Sequence, residues 1–223
     1  MKGILRKIYR KLVLSLSNWS IRKYGSRIIV VYGWDFSEPV RETLYSLLET
    51  QENIRRNTKR IDWDMGLSLF ILGVDYEKKT WRAKVITNLL KSIALLIKPT
   101  DYQGNVLLVN LHAKNYDTLR FWLDSEGIEQ VILLPTRENI TDYKIDLVKE
   151  HVNEDLILDL HKFSNSSDIS SDLKSILTEV NDRYLNEVGY NFGEDDIENA
   201  LLKSEFNEHF LTRISEKIQE NET

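Results

Sequence analysis

The chain of 223 residues contains no cysteine, only three prolines, and no apolar run near the roughly 20 residues that a membrane-spanning helix needs. The lack of cysteine excludes a disulfide framework, a thiolate zinc site and a cysteine nucleophile. It is also typical of a reducing compartment, so we expect a cytoplasmic protein. Charges interrupt the first apolar residues, which argues against a secretory signal peptide.

Charge is distributed unevenly along the chain. The formal net charge is −5, yet residues 1–34 carry eight Lys or Arg and no acidic residue, so the remainder carries −13. This asymmetry makes the N-terminal region a candidate for binding an acidic partner. The overall acidity and the absence of a binding-motif signature argue against nucleic acid.

Residues 2–24 predict a basic amphipathic helix, because apolar side chains recur at spacings of three and four. These apolar residues are Ile4, Leu5, Ile8, Leu12 and Leu16. Two interpretations stay open: the helix lies on an anionic membrane surface, or its apolar face docks on the domain or on another chain. The predicted interaction residues are Lys2, Arg6, Lys7, Arg10, Lys11 and Trp19.

The middle of the chain alternates strand and helix patterns. The β-branched run at residues 28–31 predicts a buried strand, and Val40, Leu44 and Leu47 then recur at helical spacing. Further strands are predicted at residues 105–111, 128–134 and 156–160, with helices at 81–97 and 116–122. This alternation predicts an α/β fold with a mostly parallel sheet of about four to six strands flanked by helices.

Three regions follow from these patterns. Residues 1–24 form the basic helix, residues 25–163 form the α/β domain, and residues 164–223 form a polar linker with acidic C-terminal helices. Apolar positions predict those helices over residues 173–188 and 195–219. They either cover the sheet or form an arm that binds a partner.

The stretch from residue 26 to 48 has a strand, a glycine turn and a helix, the layout that places phosphates at a helix N-terminus. It resembles the ATP-binding loop of the Mur ligase family, which reads roughly T-G-S-x-G-K-T-x-T-K-E. Gly33 matches the first glycine, and Arg41 with Glu42 matches the final basic–acidic pair. The phosphate-binding lysine falls on Ser37 and the magnesium-binding threonine falls on Glu38.

A second stretch, residues 57–73, resembles the family sequence Y-N-N-x-x-G-x-P-L-T-I-L-G. The matching residues are Asp62, Gly66, Leu69, Ile71, Leu72 and Gly73. The family's magnesium-binding glutamate falls on Asn110, its metal-binding histidine on Asn139, and its modified lysine loosely on Lys144. The resemblance covers about residues 20–160 and implies the phosphate-loop-like central domain of the family, closest to the ligase that adds D-alanyl-D-alanine to UDP-MurNAc-tripeptide.

Two functions stay open at this point. One is a non-catalytic relative of Mur ligases, an interaction, scaffold or regulatory subunit linked to cell-envelope synthesis. It would bind a protein partner or a second copy of itself, require no cofactor, and lie peripherally at the inner face of the membrane. The other is an ATP-dependent ligase or nucleotide-binding enzyme with rearranged ligands. The loss of the lysine, threonine and glutamate positions favours the first.

Overall fold

The computed structural model describes residues 2–33, 37–57, 61, 64–74, 93, 106–111, 116–134, 143–160 and 169–203, without the side chains of 2–6, 116, 143–145 and 169–172. Their centre is a five-stranded sheet in which all neighbouring strands are parallel, in the order β2-β3-β1-β4-β5. The strands are β1 Arg27–Tyr32, β2 Ile54–Arg56, β3 Val106–Leu111, β4 Ile128–Leu133 and β5 Ile157–Asp159. The predicted α/β fold with a parallel sheet is confirmed.

Helices cover both faces of this sheet. They are α1 Lys2–Tyr24, α2 Ser37–Leu48, α3 Gly66–Ile71, α4 Tyr116–Leu123, α5 Tyr143–His151, α6 Ile169–Val180 and α7 Glu194–Lys203. A 3-10 turn, Glu154–Leu156, precedes β5, and a π-helical turn, Asn181–Leu185, continues α6. No helix among the described residues is long and apolar enough to cross a membrane.

Alternating side chains of each strand build two separate cores. On β1, Ile28 and Val30 face one core, and Ile29 and Val31 face the other. The first core receives α1, α3, α4 and α5, and the second receives α2, α6 and α7. Burial on both faces explains why the strands read as continuous apolar runs, as parallel sheets usually do.

The C-terminal helices cover the sheet within the described residues. Ile176 and Leu177 of α6 and Ile197 of α7 are buried in the same core as Leu44 of α2. The predicted packing of this region on the domain is therefore confirmed up to residue 203. The rest of the helix predicted over residues 195–219 lies outside the described residues, as does the helix predicted at 81–97.

One strand and one helix differ from the prediction made from the sequence. The three-residue strand β2 lies at the edge of the sheet beside β3 and was not predicted, because its sequence Ile-Arg-Arg has no apolar run. The helix predicted over residues 173–188 ends at Val180, where the π-helical turn begins. Gly73 follows Leu72, the C-cap residue of α3, and its φ of 72° favours glycine, so the helix end accounts for glycine at this position.

Candidate functional site

The order of the strands points to one end of the sheet. Strands β1 and β4 are neighbours in the sheet. From β1 the chain continues to β2, on one side of this pair, and from β4 it continues to β5, on the other side. Open α/β sheets bind ligands outside the carboxyl ends of strands at such a change of direction. The described residues at this end are Gly33, the start of α2, Asn57 and Asn110. The loops at residues 34–36, 112–115 and 135–142, which include Asn139, lie outside the described residues.

Gly33 has a packing role in this structure. A Cβ atom added there would lie 2.8 Å from the Cβ of Leu134, closer than real Cβ atoms approach. The two segments are held together by a hydrogen bond from the Leu134 amide to the Tyr32 carbonyl, 2.9 Å long. The contact between the ends of β1 and β4 therefore accounts for glycine at this position without a phosphate.

The first turn of α2 carries an acidic residue and no lysine. Ser37, onto which the resemblance would place a phosphate-binding lysine, is fully buried, and Glu38 is about half exposed. A carboxylate in the first turn of a helix is stabilised by the positive end of the helix dipole. Glu38 therefore adds a negative charge to the first turn of α2, and its carboxylate lies 3.6 Å from the Arg41 guanidinium.

Arg41 and Glu42 form a buried ion-pair cluster with Arg56 of β2, although both α2 residues were matched to the family motif. Arg41 is only 2% exposed, and its Nε donates to Glu42 Oε1 over 2.8 Å. Arg56 pairs with the other oxygen of Glu42 and lies over the ring of Tyr45 at 4.1 Å. Burial lowers the pKa of the Arg41 guanidinium, and the nearby Glu38 carboxylate opposes that shift. The cluster attaches α2 to the edge of the sheet.

Asn57 and Asn110 form a second buried polar contact at this end of the sheet. The Asn57 amide donates to the Asn110 carbonyl over 3.0 Å and accepts from the Asn110 backbone N–H over 2.9 Å. The Asn110 side-chain Oδ1 is buried and has no hydrogen-bond partner, and the same is true of Arg41 Nη1. Asn110 thus contributes to the fold through its backbone, and a neutral side chain stands where the resemblance would place a metal-binding glutamate.

The described residues at this end of the sheet contain no cluster of metal ligands. Among the described residues, no group of three or more His, Asp or Glu side chains could hold a metal ion. Magnesium favours carboxylates with phosphate oxygens, so a buried amide at Asn110 is a poor ligand.

The second candidate surface is α1, whose inner side docks on the domain. Val13 and Ile21 are buried in the core that contains Ile28. Asn18 accepts from the Glu126 amide over 3.1 Å, and Arg22 pairs with the Glu126 side chain. The sequence interpretation in which the helix docks on the domain therefore holds for this side.

The outer side of α1 carries three of the residues named in the sequence analysis, whereas Leu16 packs partly buried against the core and the side chains of Ile4 and Leu5 lie outside the described residues. Ile8, Leu12 and Trp19 are 58%, 41% and 48% exposed. Ile8, Leu12 and Trp19 thus face away from the domain. The helix docks through other residues, which are Val13, Ser17, Ser20 and Ile21, with Tyr9, Leu14 and Leu16 partly buried against the same core. An open groove of about 510 Å³ runs beside Trp19.

The predicted basic interaction residues divide into three groups. Lys7 and Lys11 are exposed on α1, whereas Lys2 and Arg6 lie on the helix with side chains outside the described residues. The prediction for Arg10 is corrected, because its Nε pairs with Asp64 at 3.3 Å and its guanidinium lies 4.5 Å from the centre of the Phe121 ring. Arg10 therefore anchors α1 to the domain.

Comparison of the chain with family models, with characterised proteins and with solved structures found no match. The molecule is thus defined here by its α/β architecture and by its two surfaces, and the resemblance to Mur ligases stays a prediction.

Sequence reasoning missed the residues that connect these surfaces to the core. The Asp64 carboxylate forms an ion pair with Arg10. The Asp64 backbone carbonyl accepts a 3.0 Å hydrogen bond from the indole N–H of the buried Trp122. Asn57 bridges the backbone of β3. No spacing rule marks an isolated Asp or Asn in a loop, so the sequence carries no local signal for these contacts.

Proposed function

We propose that this chain is a non-catalytic interaction domain, a Mur-ligase-like scaffold or regulatory subunit whose phosphate-binding end has become structural. The main support for the proposal is the buried cluster of Arg41, Glu42 and Arg56, whose α2 members follow the first turn of that helix. Among the described residues of this cluster, Arg41 and Arg56 both pair with Glu42, and Ser37 stands where the resemblance would place the lysine.

Electrostatics argue against tight binding of ATP and magnesium at this place. Two unit charges about 4 Å apart interact by about 4 kcal/mol at an effective dielectric constant near 20. Replacing a lysine by Ser37 and adding Glu38 therefore disfavours a phosphate by several kcal/mol, which is many hundred-fold in affinity. Catalysis of phosphoryl transfer depends on this positioning and neutralisation of phosphate charge.

We infer the kind of partner from the surfaces that the domain leaves exposed. The proposed role requires a protein partner or a second copy of the chain, and it places the protein in the cytoplasm, peripherally at the inner face of the membrane. A link to cell-envelope synthesis rests on the resemblance to Mur ligases. The exposed apolar and basic residues of α1 support the peripheral position, since such a face suits an interface.

The test is isothermal titration of the chain with ATP and magnesium. We expect no saturable binding in the micromolar range. Glu38→Ala and a control, Glu198→Ala on the exposed side of α7, should behave like the parent chain. A dissociation constant in the low micromolar range, abolished by Glu38→Ala and kept by Glu198→Ala, would contradict the proposal.

One observation favours a second function, a nucleotide-binding enzyme with rearranged ligands. Arg41 Nη1 and Asn110 Oδ1 are both buried without hydrogen-bond partners, and buried polar groups are rarely left unpaired. A bound polar molecule that donates to one atom and accepts from the other would satisfy both. In that case Asn110→Leu and Arg41→Met would each abolish the ATP heat signal, while the proposed function expects no signal to lose.

A further inference from the structure

We infer that the outer face of α1 binds an anionic lipid surface, with Ile8, Leu12 and Trp19 entering the interface and Lys7 and Lys11 contacting the headgroups. This inference rests on the proposed function as a binding domain and names its partner class. The five residues are hereafter the lipid-facing residues.

The apolar lipid-facing residues form one straight row. With 3.6 residues per turn, Ile8, Leu12 and Trp19 fall within about 40° of one another around the helix axis and extend over about 16 Å. Their exposure shows that these three side chains do not pack in the core of the domain. The domain contacts the opposite side of the helix, where Val13 and Ser17 are buried. An exposed apolar row beside charged residues is typical of an interaction surface.

Charge along this face has one sign. Residues 1–34 carry no acidic residue, and Lys7 and Lys11 are exposed beside the apolar row. The ion pairs that the described residues make with α1 involve Arg10 and Arg22, which Asp64 and Glu126 hold. Lys7 and Lys11, by contrast, are exposed to solvent and form no ion pair with a carboxylate of the described residues.

Trp19 favours lipid over an acidic protein as the occupant. Its ring is about half exposed and Lys23 lies over it at 5.4 Å, so an indole and an ammonium stand side by side at the surface. Tryptophan concentrates at the boundary between headgroups and hydrocarbon, and lysine stems reach from that depth to the headgroups. The groove beside Trp19 is open rather than enclosed, which suits a broad surface better than an inserted side chain.

The net charge of the protein sharpens the expectation. A chain with a net charge of −5 is repelled as a whole by an anionic membrane, so attraction must come from a local patch. The interaction should weaken with salt, because the charges act across solvent within about one Debye length. It should also need both charge and apolar contact, as amphipathic interfacial helices do.

The experiment is co-sedimentation of the full chain with vesicles, at low and at high salt. We expect binding to vesicles of equal parts phosphatidylcholine and phosphatidylserine at low salt, and little binding to pure phosphatidylcholine. Lys7→Gln with Lys11→Gln should weaken binding about 25-fold, from about 1 kcal/mol for each lysine. Trp19→Ala should weaken binding about tenfold, the effect of losing roughly 1.4 kcal/mol of buried apolar contact.

Matched controls separate the lipid-facing residues from total charge and total apolar surface. Arg183→Gln with Lys203→Gln removes the same two charges at exposed positions elsewhere, and Leu202→Ala removes an exposed apolar side chain from α7. Both controls should bind like the parent chain. Because all substituted side chains are exposed or half exposed, circular dichroism should show unchanged folding.

Several outcomes would overturn the inference. They are no binding to anionic vesicles at low salt by the folded chain, equal binding to pure phosphatidylcholine, full binding by the lysine variant, or dimerisation that disappears in Trp19→Ala. Failure here is distinct from failure of the proposed function. A chain that binds vesicles and also binds ATP with magnesium overturns only the non-catalytic role. A folded chain that binds neither overturns the lipid inference and the peripheral membrane position, and leaves the non-catalytic role standing.

Discussion

Arg41 on α2 and Lys7 on α1 are both basic residues beside apolar helix positions, and the fold surrounds them differently. Arg41 is buried against Glu42, and Arg56 closes the same cluster from β2. Lys7 is exposed next to Ile8, on a helix face that the domain does not cover. In the stretch with the layout of a nucleotide site, the charged side chains therefore pair with one another inside the fold. On the N-terminal helix, the charged side chains of the outer face are exposed to solvent.

The largest expected effect comes from breaking the buried cluster. Glu42→Gln leaves Arg41 and Arg56 without their shared carboxylate, and removing one partner of a buried ion pair costs about 3–5 kcal/mol. The free energy of unfolding in urea should fall by that amount. The control Glu38→Gln removes a half-exposed partner of Arg41 and should cost at most about 1 kcal/mol. Equal effects of both variants would show that the cluster is not a buried anchor.

A slightly smaller effect is expected where the C-terminal helices cover the sheet. Leu177 is buried between α6 and the sheet, and a buried Leu→Ala change costs about 3 kcal/mol. The control Leu202→Ala, at a residue that is 65% exposed, should stay within about 0.5 kcal/mol. Urea unfolding measures both. If Leu177→Ala cost as little as Leu202→Ala, the helices would not be part of the core.

The parallel sheet, four of its five strands and α1 could be predicted because apolar runs and helical spacing indicate burial directly, whereas β2 has no apolar run. Docking of α1 on the domain was one of the two interpretations, but the side that docks could not be predicted, since Ser17 and Ser20 are not apolar residues. The use of Gly33 against Leu134 also escaped prediction, because it depends on a contact between segments about a hundred residues apart. Sequence patterns report local periodicity, whereas these contacts arise from topology.

The Asn57 bridge offers an intermediate effect. Asn57→Ala leaves the backbone N–H and carbonyl of Asn110 without their amide partner in a buried place, at a cost of about 2 kcal/mol. Asn110→Leu, which keeps the backbone bonds and removes an unpaired oxygen, should cost less, under about 1.5 kcal/mol. Thermal unfolding of both variants measures the order. The reverse order would show that the Asn110 side chain, not its backbone, matters at this end of the sheet.

The smallest effect concerns the exposed pair that holds the end of α1. A hydrogen bond from Arg22 keeps the pKa of the Glu126 carboxyl below its ordinary value. The stabilisation by this pair is therefore present above the ordinary pKa of about 4.3 and is lost as the pH falls through the lower pKa of the folded state. A carbon-13 titration should show this lowered pKa.

The matched variant for that titration is Arg22→Gln, which should return the pKa of Glu126 toward the ordinary value. Lys23→Gln, next to it in the sequence, should leave the pKa of Glu126 low. A Glu126 carboxyl that titrates normally in the parent chain would contradict the docking of α1 through this pair.

The contrast between α2 and α1 is tested most directly by amide chemical shifts of one labelled sample titrated separately with ATP·magnesium and with anionic bicelles. We predict that bicelles shift amides of α1 around the lipid-facing residues, and that ATP·magnesium leaves Gly33, Ser37 and Glu38 unchanged. Saturable shifts of Gly33, Ser37 and Glu38 with ATP·magnesium, together with unshifted α1 amides in bicelles, would contradict the account.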